Sequence, residues 1–189
     1  MSNFKIIFIH GYTASHLSDW YPNISIELRK LGIDFAIPDL PGELKPHANE
    51  WLDILHQEII KSNKPLVLVG HSLGTRTALL YIEKYMPQNV QLVIMIAAFA
   101  NKLENALRRD GDTYPDFFEH IIDIQKIKKL SNKFVVMHSK DDSIIAFGQG
   151  IEIAKDLDAE FITYEDRDHF SNADNLPFVL QVLKKELSF

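Results

Sequence analysis

Residues 66–74 read LVLVGHSLG, and residues 75–81 continue as TRTALLY. The apolar run that opens this stretch is strand-sized, it ends in a Gly-x-Ser-x-Gly pattern, and a helix-compatible pattern begins directly after it. A strand, a sharp turn and a helix therefore follow one another without a linker, and this context makes Ser72 a candidate nucleophile. Gly70 and Gly74 leave room for the turn, because a Cβ at either position would meet the neighbouring strand or helix.

Strand-like and helix-like segments alternate along the rest of the chain. The strands are apolar on both faces, which is typical of a parallel sheet covered by helices on both sides. The sequence thus predicts an α/β fold in a single domain over residues 1–189, with about six mostly parallel strands. The expected strands are residues 4–9, 33–37, 66–69, 91–97, 134–137 and 159–164, and the expected helices are residues 19–31, 49–62, 147–157 and 177–187 with one more after the turn. The irregular residues 99–130 leave space for a minimal lid.

Composition excludes several classes of protein. The chain has 189 residues, a formal net charge of −6 and no cysteine. Lys and Arg are scattered rather than gathered into a stripe, so we expect no nucleic-acid partner. Without cysteine there is no disulfide framework, cysteine zinc site or cysteine nucleophile. We find neither a signal-peptide pattern nor an apolar run of membrane-spanning length, and we expect a cytoplasmic protein without membrane contact.

The histidines show no spacing that is typical of a metal site. Four of them are His16, His47, His56 and His120. The pair Asp141-Asp142 is not followed by carboxylates in EF-hand order, so we expect neither a metal nor a cofactor. His10 and His71 are expected to pack and to hydrogen-bond loops, and His138, at the end of a strand, is expected to be a half-buried structural residue.

Residues with catalytic chemistry follow the predicted strands. The carboxyl ends of parallel strands meet at one edge of a sheet, where ligands of such sheets bind. Ser72 follows one strand, Asp141-Asp142 a later one and His169 the last. This order of nucleophile, acid and histidine is the order found in α/β-hydrolases. The loops at this edge also contain His10-Gly11-Tyr12 and Asp39.

The chain resembles the α/β-hydrolase superfamily over nearly its whole length. More narrowly, it is similar to the small lidless serine hydrolases related to the retinoblastoma-binding serine hydrolase and its bacterial relatives, in its size, its Asp-Asp pair and its His-Phe pair near the C-terminus. The resemblance implies that Ser72 is the nucleophile and His169 the general base. It favours Asp142 as the acid, because Asp142 immediately precedes a short apolar stretch, whereas Asp141 is one residue out of register.

The same resemblance implies that the oxyanion is bound by the backbone amides of Tyr12 and Leu73. The chain departs from the family pattern in three ways. Asp168 replaces the glycine that commonly precedes the histidine, and its carboxylate would either raise the pKa of His169 or face solvent. Ala146 replaces a proline after the acid. A chain without cysteine cannot contain the Leu-x-Cys-x-Glu motif associated with retinoblastoma binding, so the protein partner is unknown.

A serine hydroxyl needs a base to take its proton, and a carboxylate on the other nitrogen of the histidine fixes its tautomer. We therefore expect acyl transfer to water through an acyl-Ser72 intermediate, with a small to medium ester, thioester or amide as the small-molecule substrate. The alternative is a non-catalytic interaction module that retains the hydrolase fold. Dehalogenases and epoxide hydrolases of the same fold are disfavoured, because they have an aspartate at the nucleophile position, where this chain has Ser72.

Overall fold

A computed structural model describes residues 2–99 and 114–189. The strands are β1 Lys5–Ile9, β2 Asp34–Ala36, β3 Leu66–His71, β4 Val90–Ile96, β5 Phe134–Ser139 and β6 Glu160–Tyr164. The helices are α1 Tyr21–Lys30, α2 Ala48–Ile59, α3 Leu73–Tyr85, α4 Ile124–Ile127, α5 Phe147–Leu157 and α6 Leu176–Leu187, with short 3₁₀ turns at Pro115–Phe117 and Ala173–Asn175. All six strands are parallel, in the order β2-β1-β3-β4-β5-β6.

Side chains alternate along the strands and enter two separate hydrophobic clusters, as the pleat of a strand requires. Ile7 and Ile9 of β1 pack in a cluster with α2, α3 and α5. Ile6 and Phe8 of the same strand pack on the other face with α1 and α6. The predicted α/β architecture of six parallel strands with helices on both faces is therefore confirmed. Of the predicted lid region, residues 100–113 lie outside the described residues.

The two edge strands differ from the prediction of strands that are apolar and buried on both faces. Every residue of β2 is partly exposed, and β6 carries one exposed and four partly exposed residues. An edge strand has a neighbour on one side only, so its side chains are less completely covered. The first helix also begins later than predicted, at Tyr21, because Asp19 has a left-handed φ of 52° that a right-handed helix excludes.

The chain reverses its direction of winding at β1. It passes from β1 to β2 on one side and then returns to β3 on the other. The loops that leave the carboxyl ends of β1 and β3 therefore diverge, and a crevice opens between them, which is where ligands of open α/β sheets bind. Within residues 2–99 and 114–189, no helix is long and apolar enough to cross a membrane.

Candidate active site

A pocket of about 220 Å³ opens in the crevice between the ends of β1 and β3. It is smaller than the roughly 300–1,000 Å³ of typical drug-sized ligand sites, so it suits a small substrate. Its polar wall, from the loop after β1, includes Thr13, Ser18 and Asp19, and its apolar wall consists of Phe99, Tyr114, Ile144 and Ile145. Ser72, His71 and His169 complete the site between these walls.

Ser72 occupies the sharp turn between β3 and α3. Its backbone has φ 54° and ψ −122°, a conformation that non-glycine residues rarely adopt and that costs about 1–3 kcal/mol. Its N–H donates to the Ile96 carbonyl at 2.9 Å, and its carbonyl accepts the Thr75 hydroxyl at 2.7 Å. The helix also starts very close to β1, because a Cβ on Gly74 would overlap the Ile9 carbonyl oxygen. These contacts hold the serine in its strained position.

His169 lies in the loop that follows β6. The residues on either side of it have positive φ, 45° at Asp168 and 59° at Phe170, so the backbone turns sharply twice around the histidine. Two buried side chains hold this loop. The His71 Nε2–H donates to the His169 carbonyl at 2.7 Å, and the Trp20 indole N–H donates to the Phe170 carbonyl at 3.2 Å. The position of the imidazole is thus fixed from the backbone outward.

The side chain of Asp142 is fully buried and is surrounded by hydrogen-bond donors. Its Oδ1 accepts the backbone N–H groups of Ile144 and Ile145 at 2.9 and 2.8 Å, and its two oxygens lie 3.0 and 3.1 Å from the Nδ1 of His169. Burial alone would raise the pKa of Asp142, but hydrogen bonds from His138 and His169 and the nearby His169 ring hold it well below its ordinary value. With Nδ1–H donating to this carboxylate, the Nε2 of neutral His169 is unprotonated.

The neighbouring carboxylates, Asp141 and Asp168, lie outside this pair and are exposed. The Oδ1 of Asp141 accepts the backbone N–H of Asp168 at 2.9 Å, and the Oδ1 of Asp168 accepts the backbone N–H of Ser143 at 2.9 Å. Together they tie the loop after β5 to the loop after β6. The structure therefore brings Asp142, not Asp141, to His169, and it turns the Asp168 carboxylate toward Ser143.

Ser72 and His169 line the same pocket. Within the described part of the chain, no hydrogen bond joins the Ser72 hydroxyl to the imidazole. In free enzymes such hydrogen bonds are often long, and they tighten when substrate binds.

The backbone amides of Tyr12 and Leu73 stand on either side of the crevice. His10 accepts the Leu40 N–H at its Nε2, at 2.9 Å, so its Nδ1–H donates to the Gly11 carbonyl at 2.9 Å. Because the C=O and N–H of a trans peptide point in opposite directions, His10 also fixes the direction of the Tyr12 N–H. Leu73 is the first residue of α3, so its N–H has no acceptor within the helix. Neither amide donates a hydrogen bond within the described residues.

His138 corrects a prediction, because it is completely buried rather than half-buried. Its Nε2 lies 3.1 Å from the Ile145 carbonyl oxygen and 3.4 Å from the Oδ2 of Asp142. Its ring fits against α5 only because Gly150 has no side chain, since a Cβ there would overlap the imidazole. His138 is thus part of the surroundings of the buried carboxylate.

Asp19 and His71 form a second acid–histidine pair at the pocket. The Oδ2 of Asp19 lies 3.9 Å from the Nδ1 of His71. Burial, and then the nearby His169, lower the pKa of His71 to about 3, so His71 is neutral at physiological pH. Burial raises the pKa of Asp19, and His169 opposes that rise. The hydrogen bonds made by His10 and His71 confirm the loop-bonding roles predicted for them.

Arg76 connects helix α3 to the segment that follows Tyr114 of the pocket wall. It is buried on α3, its Nε donates to the Phe117 carbonyl, and its guanidinium donates to the His120 carbonyl at 2.7 Å. It also lies over the Phe118 ring, 4.7 Å from the ring centroid. Phe118 in turn stacks on Tyr114 of the pocket wall. Burial lowers the pKa of Arg76 to about 10, so the side chain stays charged at neutral pH.

Sequence reasoning missed Asp19, Arg76 and His138 as parts of the site. A charged residue in the otherwise apolar α3 was a signal for Arg76. Asp19 gave no signal, because its place at the predicted start of a helix is where an ordinary capping aspartate stands. Among residues 2–99 and 114–189, no three His, Asp or Glu side chains are grouped so that they could hold a metal ion.

The chain is similar in sequence and in structure to known proteins. A family model described as serine hydrolase matches residues 6–184. The Bacillus subtilis protein YdeN is 31% identical over 191 residues, which cover 97% of this chain and 96% of YdeN. The crystal structure of the ydeN gene product has a TM-score of 0.86 at 27% identity and covers 98% of this chain and 99% of its own.

Two more distant structures share the fold. The mouse α/β hydrolase domain-containing protein 10 has a TM-score of 0.74 at 16% identity, and the match covers 97% of this chain and 89% of the mouse chain. The esterase domain of a Rhodothermus marinus protein has a TM-score of 0.73 at 20% identity, with 98% of this chain and 86% of that chain covered. At identities this low, the similarity shows only that the fold is shared.

Proposed function

Because the chain belongs to the serine hydrolase family, we propose that it hydrolyses carboxylic esters, thioesters or amides of small to medium acyl groups through an acyl-Ser72 intermediate. One observation supports this most directly. The buried Asp142–His169 pair, with Nδ1 3.0 Å from Oδ1, stands at the same small pocket as the strained serine. A fold without catalysis has no need of a strained serine, an unprotonated imidazole nitrogen and a buried carboxylate at one pocket.

In the first half of the reaction, the Ser72 Oγ attacks the acyl carbon while its proton moves to the Nε2 of His169. Asp142 holds the imidazole in the required tautomer and stabilises the imidazolium that forms. The tetrahedral oxyanion accepts hydrogen bonds from the N–H groups of Tyr12 and Leu73, each worth about 3 kcal/mol in comparable sites. When the carbon–heteroatom bond breaks, the leaving alcohol, thiol or amine takes the proton from His169.

In the second half, water replaces the leaving group. His169 takes a proton from the water as its oxygen attacks the acyl carbon of the Ser72 ester. The second tetrahedral intermediate collapses, Ser72 recovers its proton from the imidazolium, and the carboxylic acid product leaves. The apolar wall of the pocket suits an acyl chain, and the 220 Å³ volume limits its length.

The experiment that tests this proposal combines a covalent probe with turnover. A fluorophosphonate should label the native protein, and the native protein should hydrolyse p-nitrophenyl acetate and butyrate. Ser72→Ala should abolish both while the circular dichroism spectrum is retained. Ser62→Ala, at a serine near the end of α2 and outside the pocket, is the matched control and should behave as the native protein does.

The alternative, a non-catalytic interaction module, makes the opposite prediction. It is supported if neither label nor turnover is found in a folded native protein under conditions where a known serine hydrolase is labelled. Turnover that survives in Ser72→Ala would also refute the proposed nucleophile.

A further inference from the structure

The Asp19 carboxylate is an acceptor without a donor. It lies on the polar wall of the pocket, and its side chain is only 16% exposed. Within residues 2–99 and 114–189 it accepts no hydrogen bond and forms no ion pair with Lys or Arg. The ionisable side chains that face it include His71, whose Nδ1 lies 3.9 Å from its Oδ2, and His169. His71 does not supply the missing charge, because its imidazole is neutral. A largely buried carboxylate without a partner is costly unless something binds to it.

A second acceptor without a donor lies beside the first. Because the Nε2–H of His71 donates to the His169 carbonyl at 2.7 Å, its Nδ1 carries a lone pair. That Nδ1 is fully buried, makes no hydrogen bond within the described residues, and lies 3.9 Å from the Oδ2 of Asp19. Two unsatisfied acceptors at this separation favour a positively charged ligand group and repel an anion.

We propose that the pocket selects substrates that carry a cationic group, such as an ammonium, near the scissile acyl bond, and that Asp19 is the residue that binds this group. This inference rests on the hydrolase function proposed above and adds a substrate class to it. No Lys or Arg side chain lies in the described lining of the pocket, so nothing there neutralises Asp19 or attracts an anionic substrate.

The cationic group can lie on either side of the acyl bond, so the test uses two pairs of isosteric esters. In the first pair, choline butyrate and 3,3-dimethylbutyl butyrate differ by one charge in the leaving group. In the second, the methyl esters of 4-(trimethylammonio)butyrate and 5,5-dimethylhexanoate differ by one charge in the acyl group. Rates at pH 8 should favour the cationic member of at least one pair about tenfold or more in kcat/KM.

Asp19→Asn should reduce that preference to within about twofold, because the amide keeps the shape and loses the charge. Asparagine also tolerates the left-handed φ of 52° at this position, so the variant is compatible with the backbone. Asp53→Asn, which removes an exposed charge on α2, is the matched control and should keep the native preference. The ratios measured on the native protein test the proposal even if Asp19→Asn fails to fold.

Each outcome is decisive. Equal rates within both pairs, or a preference for the neutral esters, would overturn the cation subsite, and so would a cation preference that persists in folded Asp19→Asn. Equal rates within both pairs would support a protonated Asp19 that donates to His71 and has a structural role. The failure of the subsite is distinguishable from failure of the hydrolase function, because fluorophosphonate labelling and hydrolysis of the neutral esters report on the latter alone.

Discussion

Replacing Asp142 by asparagine should remove most of the activity and little of the fold. The Oδ1 of the new amide can still accept the N–H groups of Ile144 and Ile145, as the carboxylate does at 2.9 and 2.8 Å. Its NH₂ then takes the place of Oδ2, which lies 3.1 Å from the Nδ1 of His169. The NH₂ group cannot accept the Nδ1–H, and the remaining Oδ1, 3.0 Å from Nδ1, is already shared with two backbone N–H groups. The variant therefore favours the tautomer with the imidazole proton on Nε2, which blocks base catalysis.

The size of the loss follows from the distance between the two groups. A carboxylate and an imidazolium 3.0 Å apart attract each other by about 5 kcal/mol at an effective dielectric constant of about 20. This attraction is present when His169 is protonated in the transition state and absent in Asp142→Asn, and it corresponds to a loss of about 10⁴-fold in kcat. The assay is p-nitrophenyl butyrate hydrolysis at pH 7.5, with circular dichroism to establish that the variant is folded.

Asp141→Asn provides the comparison. It removes the adjacent but exposed carboxylate, which bonds to the backbone N–H of Asp168 rather than to His169. We expect a loss of less than about tenfold, because only the loop connection is weakened. Equal losses in the two variants, or a loss below about 100-fold in Asp142→Asn, would show that the Asp142–His169 contact does not carry the catalytic charge.

Three further predictions concern stability and the pocket. Below pH 6.5 the His71 side chain of the unfolded chain becomes protonated, whereas His71 in the folded protein stays neutral down to about pH 3. The free energy of unfolding should therefore decrease by a few kcal/mol as the pH is lowered from 6.5 to 3, and His71→Gln should weaken this pH dependence in urea titrations. Gly74→Ala should cost about 3 kcal/mol or more, because its Cβ would overlap a β1 carbonyl, whereas Gly148→Ala, with nothing within 4 Å, should be neutral or slightly stabilising by the same titration. Arg76→Met should lower the free energy of unfolding by about 2–4 kcal/mol, because it leaves the buried Phe117 carbonyl and the His120 carbonyl without the guanidinium, and should raise KM for p-nitrophenyl butyrate more than it lowers kcat. An unchanged KM in a folded Arg76→Met would contradict the link between Arg76 and the pocket wall.

The features that depend on a local sequence pattern were predicted well. The strand, turn and helix around Ser72 could be predicted because the reason for each glycine is local. A Cβ on Gly70 would lie 2.6 Å from the Gly74 carbonyl oxygen, only four residues away. The parallel sheet followed from strands that are apolar on both faces, and this reasoning failed only at β2 and β6, where position in the sheet rather than composition sets the exposure.

The rest of the site depends on contacts between distant segments, which no local pattern contains. The choice between Asp141 and Asp142 rested on a resemblance, and the structure separates the two by burial, since Asp142 is enclosed while Asp141 faces solvent. Asp19 could not be recognised, because its left-handed backbone and its approach to His71, 52 residues away in the chain, appear only in the folded protein. Such residues can be recognised only when the three-dimensional packing is known.

The absence of a side chain at Gly150 has a consequence for interpreting sequence variation in this protein. Gly150 belongs to no motif, lies in an ordinary helix and has no unusual φ, so a substitution there would be classed as a conservative change in a helix. Any Cβ at that position would nevertheless displace the His138 ring, which lies 3.4 Å from the Asp142 carboxylate. A variant at Gly150 should therefore be grouped with variants of the site itself, and a screen for loss of activity should recover it although no pattern in the sequence marks it.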